Sequence, residues 1–341
     1  MRNRTISTLI ILNLFIISLL IPSHIAFAGK RSLVLDPFDY MTKKVPKAAN
    51  WRNQAIKYED WAKEADLAVT LDQHLYQVML PFVQKYAKEN NLDIAVKEGT
   101  CGISAGLLSR KAVDIAGFCC PPGESDRLPG LEFHTVGIAP LAIIINQDNK
   151  IEGLTDEQVR LIFSGKISNW SEVASTNNIK GQDLPISPIT RLHCKTRPGH
   201  WRLILDNEDE FGYNIKDIGT IPDMIRSVAS YAGAIGHIAT WNIHKYENKY
   251  KVKALKLNGI NPEDKSALLE GRYPYYRAYN ITSWKNNGKE NPLAKGLIEY
   301  LMKNTDKLDK NFSMVPSAEL RKKGWKFVDD ELMGTLNKEQ H

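Results

Sequence analysis

The chain has 341 residues, with 45 Lys and Arg against 39 Asp and Glu for a formal charge of +6, and 43% of it is hydrophobic. No basic stripe of the kind nucleic acid demands runs through it, so nucleic acid is excluded as a partner, whereas a mild positive balance suits capture of a small anion. The opening "MRNRTISTLIILNLFIISLLIPSHIAFAGK" joins two arginines, an apolar run from Leu9 to Ile21 and the small-x-small step Ala26-Phe27-Ala28. That is the pattern of a signal peptide over residues 1–28, cleaved after Ala28. The run is short for a bilayer span, and no later segment approaches the length a membrane helix needs. No cysteine stands at the cleavage site to take a lipid. The mature chain is therefore expected to be soluble and periplasmic, with 43 basic and 39 acidic residues and a charge of +4.

About 313 residues then remain, enough for two α/β lobes with separate cores. Residues 29–66 show little periodicity and read as an N-terminal extension. "ADLAV" is a short strand, and Thr70 stands at an N-cap before a helix whose Leu71, Leu75, Val78, Met79, Phe82, Val83 and Tyr86 share a face. "LDIAVKEG" is a strand, "TCGISAGLLSRKA" a Gly- and Ser-containing turn opening a helix, and "VDIAGF" a strand ending at Cys119. Strand, helix, strand in this order is the grammar of a mostly parallel sheet, whose ligands collect at the carboxyl ends of the strands. An extended apolar segment, "EFHTVGIAPLAIIINQDN", leads to a helix capped by Thr155 with Gln158 as capping-box partner. "LPISPIT" is a strand, "HWRLILDNE" is expected to be helical, and residues 218–243 give helix, turn and strand. "YKVKALKLNG" and "YPYYRAYNITSW" are strands, and "LAKGLIEYLMKN" is a last amphipathic helix. With no repeat or linker in view, the expected division is 67–142 and 234–320 for a first lobe and 143–233 for a second. A charged tail at 321–341 is expected to be peripheral.

Four motifs in consistent order resemble the phosphate-binding proteins of ABC transporters: "TCGISAGLLSRKAVDIAGF", "GLTDEQVRLIFSGKISNWSEV", "AGAIGHI" and "YPYYRAYNI", across roughly residues 67–305. The resemblance implies a type-II periplasmic binding protein: two α/β lobes, mostly parallel sheets and a two-stranded hinge, closing on an anion. It also implies a non-enzymatic monomer without a cofactor, serving an ABC permease or a membrane sensor kinase. Helix N-termini supply oriented N–H groups for such an anion. On this basis the ligand-binding residues expected are Thr70, Cys101, Gly102, Ser104, Ala105, Gly106, Cys119, Arg191, His193, Cys194, Lys195, Thr196 and Arg197.

The sequence departs from the family at its ligand loops. The family's serine-aspartate step after the third strand is here Phe118-Cys119-Cys120, and its hydroxyl-rich turn is replaced by "RLHCKTRPGHW", although Arg191 matches the family arginine. Lys195 and Arg197 imply a more negative or larger anion. Cys101, Cys119 and Cys194 on three loops imply instead a thiophilic oxyanion or a soft metal ion. In an oxidising compartment disulfides are also expected among Cys101, Cys119, Cys120 and Cys194, either Cys101 to Cys119 or one of Cys119 and Cys120 to Cys194; the second would seal the cleft and leave an interaction module. No CxxC or HxxxH spacing is present, and His134, His237 and His244 read as packing or surface histidines. Adjacent His193 and Cys194 do not make a base and nucleophile, so no catalytic residue is expected.

Overall fold

The computed structural model describes Phe38 and residues 45–123, 125–173, 181–192, 197, 199–285 and 291–336. In chain order the elements are β1 (Leu67–Asp72), α1 (Gln73–Asn90), β2 (Ile94–Gly99), α2 (Cys101–Ser109), β3 (Ile115–Phe118), β4 (Leu131–Asn146) and β5 (Gly153–Leu154). There follow α3 (Asp156–Phe163), β6 (Ser187–Thr190), β7 (Lys216–Asp217), α4 (Ile221–Ala229), β8 (Ala234–Ala239), α5 (Thr240–Tyr246), β9 (Val252–Ala254) and β10 (Lys256–Leu257). The described chain ends with α6 (Lys265–Leu269), β11 (Tyr276–Trp284), α7 (Pro292–Lys303), β12 (Val315–Pro316), α8 (Ser317–Lys323), β13 (Lys326–Val328) and β14 (Glu331–Gly334).

The main sheet runs β2-β1-β3-β11-β4-β8-β6-β7. β1 is parallel to β2 and β3, and β6 to β7 and β8, while β11 and β4 are antiparallel partners at the centre. One strand serves both lobes: residues 131–140 of β4 pair with β11, and Leu141–Ile145 pair with β8. Its unbroken burial from Thr135 to Asn146 explains why it reads as a continuous apolar run, since a strand covered on both faces has no solvent side to alternate with. Leu67, Val69, Leu107, Ile115 and Leu297 belong to one core, and Ile143, Val159, Phe163, Trp170 and Ile235 to another. β8 fills the sheet between β4 and β6, and Trp241 just beyond it packs on the first core.

Local chemistry places the helices. Thr155 and Gln158 form the expected capping box at α3. At α1 the expectation is corrected: the ladder with β2 carries β1 through Asp72, and it is the Asp72 carboxylate that accepts the N–H groups of His74 and Leu75. Thr70 stays inside the strand, opposite Lys97 and Ala116. "HWRLILDNE" yields only a 3-10 turn over His200–Leu203, and Asn207 caps a separate turn beyond it. Of the charged tail, residues 321–336 are described, and part of them is packed on the body of the chain. β13 and β14 form a hairpin, Trp325 and Leu332 are buried, and Glu331 holds Arg127 at 2.6 Å. Lys322 and Lys323 occupy the last turn of α8, while Trp325, Phe327, Leu332 and Met333 pack on the second core. Trp51, Ile56, Tyr58 and Trp61 of the N-terminal extension lie against the first core.

Candidate functional site

Parallel strands bring their carboxyl ends to one edge, and here β1 and β2 deliver the chain directly into the N-termini of α1 and α2. Facing them from the second lobe are the end of β6, with Arg191, and the segment before α4. Together Gln73, Thr100, Gly102, Arg191, Arg197, Asp217, Ile218 and Gly219 line a cavity of about 530 Å³. Gln73 is the first residue of α1, Gly102 the second of α2, and Gly219 directly precedes Thr220, the cap of α4. Backbone N–H groups and the positive ends of helix dipoles thus border the cavity, an arrangement that holds anions.

The side chains are fixed by local bonds. Thr100 Oγ1 caps α2 by accepting the Ile103 N–H. Arg191, buried at the end of β6, donates from Nη2 to the Gly219 carbonyl at 3.3 Å. Leu192 N–H donates to Asp217 Oδ1 at 2.9 Å, tying this segment to the end of β7. Arg197 lies over the Phe118 ring and forms a bidentate ion pair with Asp126, so its charge arrives already matched by a carboxylate. Glycine is required at position 199, where φ is +99° and a Cβ would stand 3.4 Å from Cys120 Sγ. The described part of the Arg191–Trp201 segment therefore rests against the end of β3.

Of the residues expected to bind ligand, Gly102, Arg191 and Arg197 line this cavity. Ser104 is buried within α2, and Ala105 and Gly106 lie further along it, half-buried. The Thr70 hydroxyl is fully buried and has no hydrogen-bond partner among the described residues. His193, Cys194, Lys195 and Thr196 lie outside the described residues. Sequence reasoning missed Gln73 and Asp217, which carry no motif of their own, and Asp126, whose role depends on an arginine 71 residues away.

Beneath the lining lies a buried polar cluster. Cys101 Sγ and Cys119 Sγ are 3.4 Å apart, a thiol contact rather than a bond of about 2.05 Å, and Cys120 Sγ is 4.0 Å from Cys119 Sγ. Hydrogen bonds from the Cys101 and Cys120 thiols hold the Cys119 thiol well below its ordinary pKa, against burial, with Arg277 and His74 adding to the effect. Burial pushes Asp72 upward, and the charge on Cys119 adds to this. Arg277 approaches the His74 ring nitrogens at 3.3 and 3.4 Å.

Elsewhere, a cavity of about 610 Å³ between β11 and α7 has Trp284, Ile298 and Met302 with the mixed charges of Glu132, Lys285, Lys295 and Glu299. At its edge His134 bonds Ser283 and Asp330, at 2.8 and 2.9 Å. It has neither the arginines nor the strand-end position of the smaller cavity.

A profile of the PBP superfamily domain matches residues 59–305, more than half of the chain. The chain is 28% identical over 240 residues to the phosphate-binding protein PstS of Bacillus subtilis, covering 69% of this chain and 74% of that one. It is 24% identical over 274 residues to PstS of Staphylococcus epidermidis, covering 75% and 79%. Among solved structures, an ABC-type phosphate transport receptor from Vibrio cholerae superposes with a TM-score of 0.58 at 22% identity, over 73% of this chain and 99% of the other. A substrate-binding protein with bound phosphate from Clostridium perfringens gives 0.62 at 18%, over 73% and 98%. These likenesses establish the two-lobed type-II fold.

Proposed function

Because the chain belongs to the PBP superfamily, we propose that it is an exported solute-binding protein, not an enzyme, that captures phosphate or a closely related inorganic oxyanion between its lobes. The observation that carries this reading is the convergence of Arg191 with the N-termini of α1 and α2 on one cavity. A desolvated oxyanion needs a hydrogen bond at each oxygen, and donors drawn from two lobes make the closed form its preferred host. An ABC permease would then recognise that closed form. The relatives carrying the phosphate-binding name support this choice of ligand and partner class.

Arg197 was expected to draw a more negative or larger anion. Its pairing with Asp126 weighs against its own share in that expectation, while Lys195, the other residue behind it, lies outside the described residues. The thiophilic reading and the sealed interaction module draw no support from the relatives, and Cys101 and Cys119 lie below the cavity lining.

A thermal-shift panel of phosphate, arsenate, sulfate and molybdate, run with and without reductant, tests the reading. Phosphate at 100 times its Kd should stabilise the chain by about 2.7 kcal/mol. No shift with any of these anions contradicts it.

A further inference from the structure

Three strand ends meet under the anion cavity. Asp72 closes β1, Cys101 opens α2 after β2, and Cys119 follows β3. One donor atom from each lies within 4.8 Å of the others, and all three residues are buried. We propose that Cys101, Cys119 and Asp72 form a binding site for a thiophilic closed-shell metal ion, Zn(II) or Cu(I), separate from the anion cleft above it.

Geometry is the first support. Two sulfurs on a tetrahedral zinc at about 2.3 Å from the metal stand about 3.8 Å apart. Cys101 and Cys119 Sγ at 3.4 Å, and Cys119 and Cys120 Sγ at 4.0 Å, bracket that edge. The donors come from secondary-structure ends in one core, so little ordering remains to be done when an ion enters.

Charge is the second. Arg277 is 2% exposed, touches the His74 ring nitrogens and faces Cys119, Cys120, Tyr279 and Asp72, so the thiols and carboxylate of the site are the acidic groups that answer its charge. A buried guanidinium needs compensating negative charge. Zn(II) on two thiolates and the Asp72 carboxylate balances with Arg277 to neutrality, and Cu(I) on two thiolates does the same with Asp72 protonated. In both cases any proton still carried by the two thiols leaves to solvent as the ion binds. The two ions differ in their third donor. Zn(II) takes the carboxylate, which His74 Nδ1 orients at 3.1 Å. Cu(I), a softer ion, takes the Cys120 sulfur. No spacing motif announces such a site, because its donors are assembled by the sheet from three βα junctions.

The full chain, reduced and desalted without oxygen, is titrated with Co(II) as a spectroscopic stand-in for Zn(II), then with Zn(II) and Cu(I) against chromophoric chelators. The expected result is one ion per chain and a thiolate-to-cobalt charge-transfer band, a signature that requires no substitution. Cys119→Ser should weaken binding by at least about 100-fold, the upper end of what loss of a supporting hydrogen bond alone costs. Asp72→Asn should weaken Zn(II) and spare Cu(I), and Cys120→Ala the reverse; asparagine still caps α1. A phosphate-induced thermal shift kept by Cys119→Ser shows that the variant is folded and separates this site from the cleft's ligand. Absence of the cobalt band in the reduced native chain, or metal affinity unchanged in Cys119→Ser, overturns the proposal.

Discussion

Arg197 grips Asp126 with two hydrogen bonds, Nε to Oδ2 at 2.8 Å and Nη2 to Oδ1 at 2.6 Å, joining the segment after β6 to the segment after β3. The carboxylate side chain is wholly buried and the guanidinium nearly so, and Asp126 also accepts the Gly123 N–H. A buried pair of this kind contributes little net stability over an apolar pair, but losing one partner strands the other charge. Asp126→Ala should therefore cost about 3–5 kcal/mol, measured as a shift in the denaturant midpoint. Replacing both residues, Asp126→Leu with Arg197→Met, should recover most of that loss.

Gly199 makes the neighbouring prediction. Its φ of +99° and ψ of −174° fall in a region that side-chain-bearing residues avoid. Gly199→Ala should cost about 1–3 kcal/mol. Because this backbone lies against Cys120, the strain should also lower phosphate affinity, checked by titrating both chains in parallel.

A pH effect follows from Asp114. Burial raises its pKa above the ordinary carboxylate value, although the Tyr58 hydroxyl and the Ala68 N–H pull it down. A raised folded pKa means that the native state keeps a proton the unfolded chain has released. Stability should then fall as pH rises from about 4 through the raised value, and level off above it. Asp114→Asn should flatten this slope in urea melts. Tyr58→Phe should steepen it and cost about 1–3 kcal/mol, because the carboxylate loses a donor.

The C-terminal hairpin should prove structural. Trp325 rests edge-on against Tyr276 and donates from Nε1 to the Leu269 carbonyl at 2.8 Å. Trp325→Ala should cost about 3–5 kcal/mol in thermal or chemical unfolding.

How far the sequence revealed this molecule varies with the range of the forces involved. The capping box of Thr155 and Gln158 is local, so it was legible, and so was the strand-helix-strand order that places Gly102 and Arg191 at the cleft. The start of α1 was misplaced by two residues because Thr70 and Asp72 are both good caps. What decided between them was the ladder from Leu71 and Asp72 to Glu98 and Gly99, which local sequence does not show. In the charged tail beyond Arg321, Trp325 and Leu332 find their partners far away in the chain, which local composition does not show. Asp126 and Asp72 took their roles from Arg197 and Cys119, contacts that only the folded sheet creates.

Arg191 and the facing helix N-termini are proposed to hold an oxyanion together. Calorimetric titration of phosphate into the reduced native chain and into Arg191→Ala tests this most directly. One site per chain is expected, with an affinity loss of about 10- to 100-fold in the variant, the equivalent of one charge-assisted hydrogen bond. An absence of binding heat with the native chain, or equal affinity in Arg191→Ala, would contradict it.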